Sequence, residues 1–209
     1  MEPFNQVVLS TAYFPPIEYF YAIANSKLIL IEQCEYYQKQ SYRTRCHIYA
    51  TGGVDALKIP VLRDSTHKIP IRDIKIDYTK SWLIQHKRAI VSAYNSSPFF
   101  DYYQDEIFFI MDGKEKFLFD LNYKLLEKLI EFIGIKPNIG FTESFNSEYS
   151  FGDFRSTIHP KSHVDNLLNQ YKKEKTYYQV FSNKFGFISN LSILDLLSNE
   201  GPNSISFLL

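Results

Sequence analysis

Lys39, Arg43, Arg45 and His47 fall within nine residues of the stretch QKQSYRTRCHIY, residues 38–49. On an extended strand alternate residues share a face. Lys39, Ser41, Arg43, Arg45 and His47 would then form one row, backed by Tyr42, Thr44, Cys46 and Ile48. The row carries cations and no carboxylate. Arginine forks match phosphate and carboxylate oxygens in pairs, and an imidazole can take a proton near neutral pH. The expected chemistry is therefore to grip an anionic ligand. A solvated face, or charges met by Glu32, Glu35 or Asp73, is the open alternative.

Two further stretches carry chemistry. DSTHKIPIRD holds His67 and Lys68 in a polar loop after a strand, the usual address of binding residues in α/β folds. His67 and Lys68 are read here as candidate ligand contacts. FGDFRSTIHPK supplies Asp153, Arg155 and His159, which could close over a ligand as a lid. His86 reads as a helix-face residue and His163 as solvent-exposed. Cys34 and Cys46 read as inert, reduced thiols, since a single pair makes no disulfide framework. No phosphate loop, zinc-type Cys pairing or nucleophile elbow is present, so no motif specifies a metal or a cofactor.

These residues need a scaffold. VVLSTAYF reads as a strand ended by Pro15-Pro16, IEYFYAIANS as a helix and KLILIE as a second strand, a βαβ opening that favours a parallel pair. YRTRCHIYA and ALKIPVL flank Gly52-Gly53 as a hairpin, and IRDIKID reads as one more strand. Helices follow over residues 79–97 and in PFFDYYQDEIFFIMDG and FLFDLNYKLLEKLIEFIGI. The last shows a Leu121, Leu125, Leu129, Phe132 stripe stopped by Gly134. Residues 136–175 are polar and read as a loop or lid. YYQVF reads as a strand, and SNLSILDLLSNEG as a capped helix. The expected fold is α/β: a mixed sheet opened by the βαβ-like unit with a hairpin, C-terminal helices packed on it, and residues 1–209 forming a single domain.

The 209 residues carry 23 basic and 23 acidic side chains, so no global field draws nucleic acid or a membrane surface. No run approaches a membrane span, and the N-terminus lacks a signal-peptide pattern; a cytoplasmic protein is expected. The 18 Phe and 16 Tyr offer rings for core and cleft alike.

Taken together, STAYFPPIEYFYAIANSKLILIE, YYQKQSYRTRCHI, THKIPIRDIKID, HKRAIVSAYNSSPFFDYY, RSTIHPK and GFISNLSILDLL resemble the WbqC-like family, in its Bacteroidetes-type form, over nearly the whole chain. Tyr13, Pro15, Tyr19, Lys39, Arg43 and Arg45 match the family pattern, which adds Tyr13 to the ligand-binding candidates. Many members carry His-Gln-Pro-Asn where this chain has Leu9, Ser10, Thr11 and Ala12, and an Asn where it has Thr44. The resemblance implies a role in bacterial O-antigen or surface-polysaccharide synthesis: aminoacyl (glycine) transfer onto an amino-sugar precursor, with His47 or His67, whichever faces the cleft, as the base that deprotonates the amine. The small-molecule partner would be anionic, a nucleotide sugar or an activated amino acid. The alternative is a non-catalytic ligand-binding or assembly protein of the same pathway.

Overall fold

The structure, a computed structural model, describes residues 4–62, 68–161 and 166–209. Its centre is β1 (Phe4–Ser10), α1 (Ile17–Ala24) and β2 (Ser26–Glu32), with the two strands parallel from Phe4↔Ser26 to Ser10↔Glu32. Val7 to Ser10 are all buried, as expected where a parallel sheet is covered on both faces. Pro15 and Pro16 end the extended run, and Pro16 stands before the first helical residue, Ile17.

The hairpin is present: β3 (Arg45–Ala50) pairs antiparallel with β4 (Gly53–Lys58) across a tight turn, where Gly53 takes φ 104°. Residues 38–44 before it are turns rather than strand. Gln40 is left-handed at φ 58°, Ser41 Oγ donates to the Gln38 carbonyl, and Thr44 N–H donates to that of Ser41. The expected five-residue cationic row therefore breaks up. Only Arg45 and His47 keep the strand alternation.

IRDIKID also departs from expectation. Ile71–Asp73 is a 3₁₀ turn, and only β6 (Lys75–Ile76) is strand, paired with β5 (Val61–Leu62). Ile71 and Ile74 are three apart, a helical spacing, and Ile71, Ile74 and Ile76 are all buried by this path.

Helices α2 (Trp82–Tyr94), α3 (Phe100–Asp112) and α4 (Leu118–Ile133) follow. α4 buries Leu118, Leu121, Leu125, Leu129 and Ile133 on one side. Cutting one such leucine to alanine costs about 2–5 kcal/mol. Gly134 closes the helix in the left-handed region, φ 80°, its N–H on the Ile130 carbonyl.

The polar segment 136–175 contributes three elements: β7 (Ile139–Phe141), β8 (Gly152–Asp153) and α5 (Leu167–Gln170). β7 pairs with β2 and β8 with β1, giving a four-stranded, all-parallel sheet of order β7-β2-β1-β8. YYQVF is irregular, followed by α6 (Ser182–Phe185). The capped helix is α7 (Ile193–Glu200): Ser192 Oγ accepts from Leu194 N–H, and a 3₁₀ run, Gly201–Phe207, follows. Among the described residues no helix is long and apolar enough to cross a membrane.

Candidate functional site

Two neighbouring constellations lie beyond the carboxyl ends of the parallel strands, where α/β folds place ligands. The inner one is a buried charge network. Arg43 donates from Nε and Nη2 to the two oxygens of Glu35, at 2.7 and 2.5 Å, and from Nη2 to Ser10 Oγ at 2.5 Å. Arg155 donates to Glu32 at 2.9 Å and forks onto Asp153 at 2.9 and 2.6 Å. Its guanidinium also lies against the Phe145 and Tyr149 rings. The other Glu32 oxygen accepts from Thr142 Oγ1 and Cys34 N–H, both at 2.7 Å. Both arginines expected to hold ligand thus already hold carboxylates, Glu35 being one of the partners the sequence offered. The hole beside Arg43, lined by Ser10, Thr11, Ala12 and Tyr42, measures about 10 Å³, room for a single water. Leu9, next to Ser10 at the end of β1, is fully buried.

Tyr42 lines this hole and also the second constellation, an open cleft of about 220 Å³. His47 from β3 and His159 from the segment after β8 both line it, with Glu18, Asn190 and Thr157. The local folding explains the convergence. Ser192 N–H donates to the His47 carbonyl, Ile17 N–H to that of Leu191, and Ile193 N–H to that of Pro15, so residues 188–191 are bound between β3 and α1 as one wall. The Tyr42 ring meets the His47 ring edge-on at 5.7 Å.

Two residues before His47, on the same face of β3, stands Arg45. Among the described residues it pairs with no carboxylate, and its buried Nε has no hydrogen-bond partner. Its charge reaches both histidines. Burial lowers the His47 pKa, helped by Arg45 and Lys58; burial also lowers that of His159, helped by Arg43, Lys161 and Arg45. Both imidazoles are thereby favoured in the neutral form, the form that accepts a proton. His159 Nδ1 accepts from Lys161 N–H at 3.1 Å.

The remaining sequence candidates lie elsewhere. Tyr13 is buried in the core, its hydroxyl 3.0 Å from Nδ1 of His86, whose other partner is the Lys58 carbonyl. Lys39 is exposed in a turn, and Lys68 is exposed over the Tyr36 ring. His67 and His163 lie outside the described residues. Cys46 is buried, with its thiol pKa pushed up by burial. Glu18, unmarked in the sequence reading, is the residue the cleft adds. Its signal was available: a lone charge in IEYFYAIA, where residues 17–23 are all buried. Among the described residues no cluster of three or more His, Cys, Asp or Glu side chains could hold a metal ion.

The profile of the WbqC-like protein family matches residues 11–171. The chain belongs to this family. It is also 25% identical over 227 aligned positions to Rv1507c of Mycobacterium tuberculosis, described as uncharacterized, covering 96% of each chain. No solved structure matches. The matched region contains Thr11, Ala12, Arg43, Arg45, His47 and His159, so both constellations of this WbqC-like protein lie in the family segment apart from Ser10 and the 188–191 wall.

Proposed function

We propose that this WbqC-like protein is a cytoplasmic aminoacyl-type (glycine) transferase acting on an amino-sugar precursor of bacterial O-antigen or surface polysaccharide, with the Tyr42–His47–His159 cleft as its anion site. The observation that carries the proposal is the pair of cleft-lining imidazoles His47 and His159, both favoured as neutral, with Arg45, unpaired among the described residues, two positions before His47 on β3. Arg45 holds a phosphate or carboxylate. His47 or His159 takes the proton from the sugar amine as its nitrogen attacks the acyl carbonyl. The tetrahedral oxyanion leans on Arg45, and collapse expels the donor's leaving group, which recovers the proton. A positioned base contributes about 10²–10⁴-fold and an oxyanion donor about 10²–10³-fold. His67 keeps its place as a second candidate base, whereas Lys39, Lys68 and Tyr13 do not line this cleft.

The cleft favours a nucleotide sugar or activated amino acid that inserts one compact group, since 220 Å³ is below the roughly 300–1,000 Å³ of sites enclosing a drug-sized ligand. The test is transfer of radiolabelled glycine from activated donors to amino-sugar acceptors by wild type, Arg45→Ala, His47→Ala and His159→Ala. Turnover lost on removing Arg45 and one histidine supports the reading; turnover untouched by all three changes overturns it. Leu9, buried where relatives carry histidine, favours a second reading: a ligand-binding or assembly protein of the same pathway. It predicts binding with no turnover.

A further inference from the structure

Glu18 is 3% exposed, yet it lines the cleft. Among the described residues no cation pairs with it. Its partners are neutral amides: Asn190 Nδ2 donates to Oε1 at 2.7 Å, and Leu167 N–H to Oε2 at 3.1 Å. Its own backbone N–H donates to Asn190 Oδ1 at 2.9 Å, so Asn190 grips the residue at two points. A carboxylate offers about four acceptor positions, and two are used. Leaving a buried charge without a counter-ion costs several kcal/mol, and burial accordingly raises the Glu18 pKa against the pull of both hydrogen bonds.

Arg45, which pairs with no carboxylate among the described residues, precedes the cleft-lining His47 by two residues on β3 and so leaves the strand on the same face. Tyr42 lies within reach of both charges: burial raises its pKa most, Glu18 adds to that, and Arg45 opposes it. The charges that act on His47 and His159 are cations, and Glu18 is not among them. The cleft thus has an acidic group in its own wall, Glu18 braced by Asn190, and a cation, Arg45, next to the wall residue His47 on β3.

We infer that Glu18, braced by Asn190, reads an ammonium group, and that the cleft selects a compact zwitterion whose phosphate or carboxylate lies at Arg45. This rests on the cleft being the ligand site proposed above, and it adds the substrate class: an amino-sugar phosphate, or an amino acid of the same polarity. The 220 Å³ available admits one sugar or one amino acid.

Calorimetric titration at pH 7 with glucosamine 1-phosphate, glucose 1-phosphate, glucosamine and glycine tests it. Glucosamine 1-phosphate is expected to bind at least 10-fold more tightly than glucose 1-phosphate and than glucosamine. Glu18→Gln should erase the preference for the amine, and Arg45→Ala should weaken both phosphates at least 10-fold. If glycine is the tight ligand and depends on both residues, the zwitterion is an amino acid. Equal affinity of wild type for the two phosphates together with no binding of glycine, or no binding of any probe, overturns the inference. The wild-type comparison decides even if Glu18→Gln does not fold. Amine-selective binding without glycine transfer sinks the transferase reading alone; transfer without amine-selective binding sinks this one alone.

Discussion

Arg43 and Glu35 face each other fork to fork, 2.7 and 2.5 Å apart, both almost wholly buried. Two positions on, Arg45 pairs with no carboxylate among the described residues. Of these neighbouring arginines one is tied into the scaffold, and the other is the one proposed to meet a ligand.

Arg43→Ala leaves Glu35 buried and unpaired, and should cost about 3–5 kcal/mol in urea unfolding. Arg45→Ala breaks no ion pair and should change stability by about 0.5 kcal/mol or less. Equal losses at the two positions would contradict the division.

Acid stability should hinge on two buried groups of opposite slope. His86 is held neutral, its pKa lowered to about 4 by burial. Between pH 6.5 and 4 the unfolded chain binds that proton more readily, so falling pH removes up to roughly 3 kcal/mol. Asp195 has its pKa raised to about 6 by burial, against hydrogen bonds from Tyr177 and Gln179. Its contribution is present at low pH and lost as pH rises through about 6, again by about 3 kcal/mol. In the wild type the two slopes oppose each other. Urea midpoints at pH 4, 5 and 6.5 should fall with acid in Asp195→Asn and rise with acid in His86→Gln; parallel curves for all three proteins would refute the assignment.

Gly201 and Gly134 both have positive φ, but only Gly201 is crowded. A Cβ there would meet the Phe99 ring at 2.5 Å, whereas one at Gly134 meets nothing within 4 Å. Gly134→Ala should cost about 1–2 kcal/mol, the left-handed penalty alone. Gly201→Ala should lower the thermal midpoint further, because the ring must move as well.

Thiol labelling should separate the cysteines. Cys34 is partly exposed and Cys46 fully buried. A disulfide reagent should modify Cys34 in the native protein and Cys46 only in denaturant.

The strong periodic segments were readable before any coordinates. The α4 leucine stripe, the β1–α1–β2 opening and the Gly52-Gly53 hairpin each span enough residues for their period to show. β7 and β8 have three and two residues, too few to display alternation, so they hid inside a polar segment. YYQVF has strand composition, but the Gln179 side chain bonds both Ile188 N–H and its carbonyl, at 2.9 Å each, filling the role of a partner strand. In the site, His47 and His159 were legible as histidines near cations. Glu18 showed only as a lone charge in an apolar helix; its place in the cleft depends on residues 190 and 167, about 150 or more positions away.

The sheet's order has a consequence for biosynthesis. Val7 pairs with Gly152 and Ile29 with Ile139, whereas β1 and β2 pair across only 22 residues. On the ribosome the central pair can close long before its flanks are made. At about 5–20 residues per second, the roughly 110 residues separating β2 from β7 take about 5–20 s to appear. Through that interval two apolar, unpaired parallel edges stand open to other nascent chains. Holdase chaperones, rather than intrinsic stability, would then set the yield of folded protein.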